Sequence, residues 1–151
     1  AVLTVCLTIT GIYDFVIIVR DNGPGHRVTV NTNSSLTDWL AQNLDSRDLI
    51  LTPEYSISEV TMAGVMMYLG WPYYAWSAGY DTYDRAEKAK EIYTSQEPER
   101  VKSLVRQEGI TYILFEEGMT FEGETCIETT IKSVYRLVYQ SEDRRIRIYE
   151  T

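Results

Sequence analysis

Apolar positions in this chain recur with two different periods, and the order in which the periods alternate predicts the fold. Leu36, Trp39, Leu40 and Leu44 fall at i, i+3, i+4 and i+8, one apolar stripe on a helix. Ser35-Leu36-Thr37-Asp38 gives that helix a capping-box-like start. Residues 48–52 (DLILT) form a compact apolar run ended by Pro53, as a buried strand would. Residues 58–64 predict a short helix closed by Gly64, and 65–69 (VMMYL) a second strand; one continuous helix over 56–69 competes with that pair. Helices follow over 82–94 and 97–107, the second with Val101, Leu104 and Val105 on one face and Gly109 as its stop. Residues 110–115 (ITYILF) predict a third buried strand, and 127–134 another helix. Residues 135–140 and 145–150 alternate polar with apolar across Ser141-Glu142-Asp143-Arg144, a half-exposed hairpin. A brief alternation at 27–31 is a further strand candidate. Strands separated by helices predict an α/β domain over 20–151, a small mostly parallel sheet with flanking helices and a C-terminal antiparallel hairpin.

The first nineteen residues, AVLTVCLTITGIYDFVIIV, carry one charge, Asp14. At about 1.5 Å per residue they match a bilayer core, and they are the expected end of a transmembrane helix. A hairpin competes: Leu3, Val5, Leu7 and Ile9 alternate with Thr4, Cys6, Thr8 and Thr10, and Gly11 offers a turn. No basic leader or small-x-small cleavage site marks a removable signal peptide.

The net charge is −8, and acids outnumber bases both in residues 1–80 (seven to three) and in 81–151 (fifteen to eleven). That balance excludes nucleic acid as a partner, because a phosphate backbone needs clustered Lys and Arg. The two cysteines, Cys6 and Cys126, are too few for a disulfide framework and leave the redox compartment open. No metal motif and no cofactor motif is present. Gly23-Pro24-Gly25 is not a phosphate loop, since Pro24 removes one of the amides such a loop uses. His26 is the only histidine and has no Ser or Cys nucleophile motif to serve, so no catalytic residue is assigned. Asn33-Ser34-Ser35 fits a glycosylation sequon.

Aromatic residues crowd the segment after the second strand: Tyr68, Trp71, Tyr73, Tyr74, Trp76, Tyr80 and Tyr83. Such rings stack on sugars, anchor at a membrane–water boundary or simply pack over a sheet. Gly70, Pro72 and Gly79 predict a shaped loop there and not a helix. Asp81 and Asp84 read first as caps of the next helix and second as paired acids or cation ligands. The candidate binding residues are therefore Trp71, Tyr73, Tyr74, Trp76, Tyr80, Asp81, Asp84 and Arg85. Glu116, Glu117, Glu122, Glu124 and Glu128 form an acidic surface after the third strand.

Five stretches carry a resemblance: the apolar segment running into RDNGPGHRV; TDWLAQNLDSRDLILT; MAGVMMYLGWPYYAWSAGYDTYDR; the pair KEIYTS and VKSLVRQEGITYILFEE; and YRLVYQSEDRRIRIYE. Their order resembles the C-terminal extracytoplasmic domain of multi-spanning, glycosyltransferase-like membrane proteins, which are similar to enzymes that use lipid-linked sugars. The resemblance implies a non-catalytic accessory domain on the extracytoplasmic side of a membrane. Its implied partners are the membrane part of the parent protein and a glycan or lipid-linked sugar. The family's chemistry belongs to loops between earlier spans, so no catalytic residue carries over. The rival expectation is a soluble small-molecule-binding α/β domain whose first residues form a hairpin.

Overall fold

A computed structural model describes residues 2–22, 31, 34–53 and 58–151, and within the first helix the side-chain surroundings of Thr8 and 11–22. The chain divides into two compact units, Ala1–Val30 and Asn31–Thr151.

In the first unit α1 runs unbroken from Val2 to Asp21, which overturns the hairpin alternative. An isolated two-stranded ribbon leaves half of its backbone groups facing outward, whereas a helix closes its hydrogen bonds within the segment. Ile12, Tyr13, Phe15, Val16, Ile18 and Val19 are all exposed. Arg20 sits in the last turn, where the helix dipole favours a cation, and the Asn22 side-chain amide donates to the Ile18 carbonyl at 2.7 Å. Among the described residues no helix is long and apolar enough to cross a membrane, so the transmembrane span expected over residues 1–19 is not found. The strand candidate at 27–31 lies outside the described residues apart from Asn31, which is not in a strand.

The second unit holds a five-stranded sheet with helices on both faces. Its elements are α2 (Ser35–Asn43), β1 (Leu49–Leu51), α3 (Ser58–Met62), β2 (Met66–Met67), α4 (Pro72–Ser77), α5 (Tyr83–Thr94) and α6 (Pro98–Glu108). After these come β3 (Tyr112–Glu116), β4 (Thr120–Phe121), β5 (Glu124–Thr125), α7 (Glu128–Val134), β6 (Arg136–Gln140) and β7 (Ile146–Glu150). Strand order is β2-β1-β3-β7-β6. β1 pairs in parallel with β2 and with β3, while β7 runs antiparallel to both β3 and β6. The sheet is thus mixed, and the parallel expectation holds only for its first three strands. β4 and β5 form a separate two-stranded ribbon.

Alternation along the strands divides the core in two. Leu51, Ile113, Phe115 and Tyr149 face α5, α6 and α7, meeting Ala89, Ile92, Tyr93, Val101, Leu104, Val105 and Ile131. Ile50, Leu114 and Ile148 face the opposite way, onto Leu36, Leu40 and Leu44 of α2 and Val60 of α3. Each such side chain contributes about 1.5–3 kcal/mol on burial. Local signals set the ends of the helices. Ser34, one residue before the expected start, caps α2 by accepting from the Leu36 amide at 3.2 Å. Gly109, at φ 67°, turns the chain out of α6 and straight into β3. Gly64, at φ 72°, ends α3, and Met66–Met67 then pair with Leu49–Ile50, so the continuous helix over 56–69 is not formed.

Candidate functional site

The site begins where β2, an edge strand, runs out. The Tyr68 amide still donates to the Ile50 carbonyl at 2.9 Å, and its ring turns into the core. Gly70 follows at φ 58°, and a Cβ there would stand 3.2 Å from Met67 Cε, so a side chain would be strained and crowded. Pro72 then opens α4, correcting the expectation of a loop. Proline presets the helical φ at the first position, where its missing amide proton costs nothing. Gly79, at φ 87°, stops the helix after little more than one turn. α4 buries none of its residues, and it leaves Tyr73, Tyr74 and Trp76 exposed. Tyr80 and Tyr83 beyond it are exposed as well. Of the seven clustered aromatics, only Tyr68 is core.

The start of α5 fixes the other side. Asp81 Oδ1 accepts from the Tyr83 amide at 2.9 Å, one residue ahead of the N-cap position, which Thr82 occupies. Asp84 pairs with Lys88 one turn on, at 2.7 Å. Lys88 also reaches Glu108 at 2.8 Å, and the Tyr68 hydroxyl donates to the same carboxylate at 2.9 Å. The Lys88 ammonium holds the Glu108 carboxyl below its usual range, while bonding to Asp84 and Glu108 raises Lys88 itself. Burial, with Glu108 beside it, pushes the Tyr68 phenol up, so it stays protonated. Arg85 lies with its guanidinium 5.2 Å from the Tyr68 ring centroid and donates to the Tyr68 carbonyl at 2.9 Å.

Two clefts open on either side of Asp81 and Thr82. One, of about 430 Å³, is lined by Pro72, Tyr73, Trp76, Tyr83, Ala86 and Glu122 together with those two residues. The other, of about 400 Å³, is lined by Met67, Tyr68, Leu69, Ala75, Tyr80 and Arg85 with the same two. The candidates are therefore partly assembled. Tyr73, Trp76, Tyr80, Asp81 and Arg85 line clefts. Trp71 and Tyr74 line neither and pack on each other at 6.2 Å between centroids. Asp84 lies outside both, in its ion pair. Thr82 and Ala86 were not singled out from the sequence, and Glu122 was read there only as part of an acidic surface. Glu122 comes from the β4–β5 ribbon, held to α5 by Lys90, which contacts Glu122 at 3.3 Å and Glu124 at 2.9 Å. No local signal ties that ribbon to α5. A further cleft of about 390 Å³ along α6, lined by Glu99, Lys102, Ser103, Arg106 and Gln107, is a groove between polar side chains of one helix.

Chemically, the paired clefts offer flat aromatic faces, phenol, hydroxyl and carboxylate groups, and one fixed guanidinium. They hold no nucleophile beside a base. Among the described residues no group of His, Cys, Asp or Glu is placed to hold a metal ion. Cys126 is buried, and burial pushes its thiol up to about 11, leaving it protonated.

No protein-family model and no curated protein sequence matches the chain. Among solved structures, it is similar to the crystal structure of the C-terminal globular domain of oligosaccharyltransferase from Archaeoglobus fulgidus. The TM-score is 0.55 at 13% identity, over 83% of this chain and 99% of that one. At that identity the likeness is one of fold.

Proposed function

We propose that this chain is a non-catalytic accessory domain of a membrane-bound, glycosyltransferase-like protein, and that the clefts beside Asp81 and Thr82 position a glycan or lipid-linked sugar. The observation that carries the reading is the outward display of Tyr73, Trp76, Tyr80 and Tyr83 around two clefts edged with hydrogen-bonding groups. Aromatic faces stack on the apolar face of a sugar ring while hydroxyls and carboxylates take its hydroxyl groups. The net charge of −8 gives anions no general attraction, which favours a neutral glycan over a nucleotide. The fold likeness to an oligosaccharyltransferase domain agrees with this assignment.

Among the described residues no helix is long and apolar enough to cross a membrane, so the membrane part of the reading rests on the fold likeness and not on α1. In that reading the domain lies on the extracytoplasmic side.

The test is tryptophan emission of the full chain, held in detergent and titrated with neutral oligosaccharides. A saturable change that disappears in Trp76→Phe supports the assignment. Unchanged emission up to millimolar glycan refutes it.

A further inference from the structure

Four arginines end on a carboxylate: Arg20 on Asp21, Arg100 on Glu91, Arg136 on Glu150 and Arg147 on Glu128. Arg85 does not, and yet its head group is held at two points. One N–H donates to the Tyr68 carbonyl at 2.9 Å, and the guanidinium lies 5.2 Å from the centre of the Tyr68 ring. Among the described residues its other N–H groups meet no acceptor. The neighbouring acids are engaged elsewhere: Asp84 and Glu108 hold Lys88, and Asp81 accepts from the Tyr83 amide. A fixed cation in a chain of net charge −8 thus stands without a counter-ion.

This guanidinium lines the cleft of about 400 Å³, to which Met67, Leu69 and Ala75 give an apolar wall. Tyr80 and Thr82 line the same cleft, and Tyr80 is exposed. Thr82 stands at the N-cap of α5 without a side-chain cap bond, which leaves its hydroxyl uncommitted. One cleft therefore presents a fixed cation, a ring face and a spare hydroxyl.

We propose that this cleft is the subsite for a uronic acid, whose carboxylate accepts from Arg85 while its ring stacks on Tyr80 and a ring hydroxyl meets Thr82. The inference rests on the glycan reading of the clefts and narrows it to glycans that carry one acidic sugar. Both clefts share Asp81 and Thr82, so adjacent sugars of one glycan can occupy them, the neutral one beside Tyr73 and Trp76.

The planar guanidinium fork matches a carboxylate, which it takes through two parallel hydrogen bonds. An apolar wall beside the contact thins the solvent and strengthens it. The net charge supplies no long-range attraction, so any selection of an anion must come from this local contact. Repulsion from the chain, and from Asp81 on the cleft wall, grows with the charge of the ligand. A singly charged carboxylate is therefore favoured over a doubly charged phosphate.

The experiment is calorimetric titration of the full chain, held in detergent, with matched disaccharides in gluco, galacto and manno configuration. Each set holds the neutral sugar, the uronic acid, the methyl ester of that acid and the sugar phosphate. In at least one set the uronic acid should bind about tenfold more tightly than its ester, as one partly exposed charge-assisted contact gives. That ratio should shrink at high salt and fall to near one in Arg85→Gln. The ester changes the ligand and not the protein, so the comparison stands even where Arg85→Gln disturbs Tyr68. Equal binding of acid and ester, with the neutral sugars still bound, overturns the uronic acid subsite and leaves the glycan reading standing. A ratio that survives in Arg85→Gln overturns the assignment to Arg85, and a phosphate that binds more tightly than the uronic acid overturns the choice of carboxylate. No binding in any set overturns both the subsite and the glycan reading.

Discussion

Replacing Tyr93 with Phe removes one oxygen atom from the middle of the fold and nothing else. Tyr93 reaches from α5 to the gap between β1 and β3. Its hydroxyl lies 2.7 Å from the Leu114 carbonyl and 3.2 Å from that of Leu51, just past the last paired residues of the two strands, Leu51 and Ile113. The residue is completely buried, so water cannot replace the lost donor. A hydrogen bond contributes about 0.5–1.5 kcal/mol net, and a buried carbonyl left short of a donor costs about 1–3 kcal/mol. The ring and its contacts with Phe115 and Phe121 are retained, so no cavity term enters. The expected destabilisation is therefore about 1–3 kcal/mol. Urea unfolding followed by near-ultraviolet circular dichroism should show a lower midpoint with an unchanged slope. Because burial holds the phenol far above its ordinary value, the loss should be the same at neutral and at mildly alkaline pH. A change below about 0.5 kcal/mol would refute the claim that this hydroxyl closes the β1–β3 gap.

Three further outcomes follow from the packing and the charges. Leu114→Ala, at a central and buried strand position, should cost about 2–5 kcal/mol in the same unfolding assay. Asp143→Ala, in the exposed hairpin turn where its carboxylate accepts from the Ser141 hydroxyl and the Arg145 amide, should cost far less, and equal losses would show that the core is misplaced. Glu108 has a folded-state pKa depressed by Lys88, so its stabilisation is present above the ordinary value of 4.5 and fades as the pH falls below it. Glu108→Gln should flatten the acid limb of the stability–pH curve there, and an unaltered limb would show that the Tyr68–Glu108–Lys88 network is not formed. Isolated protein should show no glycosyl transfer or glycan hydrolysis; turnover abolished by Asp81→Asn would contradict the non-catalytic reading.

Where local pattern and tertiary demand agree, the elements were legible. Runs such as 110–115 can be satisfied only by burial on both faces, and the stripe Val101, Leu104, Val105 only by a helix against a sheet. α4 was not legible, because two glycines outweighed the helix start that Pro72 sets. The β4–β5 ribbon was read as an acidic loop. Its turn puts Glu122 at φ 47° and Gly123 at φ 80°, left-handed values for which Asn-Gly is the usual signal and Glu-Gly is not. The antiparallel hairpin was legible because it is local, but which of its strands lies against β3 depends on contacts far apart in sequence. The aromatic segment was found as a cluster, and its exposure was not, since ring type alone does not separate core from surface. Glu122 was legible as part of an acidic surface, but no local signal places it in the cleft.

Saturation-transfer magnetic resonance between the full chain and a neutral oligosaccharide tests the glycan assignment most directly. Each stacked ring contributes only about 0.5–1.5 kcal/mol beyond area burial, so the complex should be weak and exchange fast, the regime in which the method works. The account predicts transfer to the sugar ring protons at millimolar glycan, strongly reduced in Trp76→Ala and unchanged in Trp39→Phe, whose ring packs away from the clefts against Tyr112 and Tyr139. No transfer to any neutral glycan, or transfer that Trp76→Ala leaves intact, would contradict it.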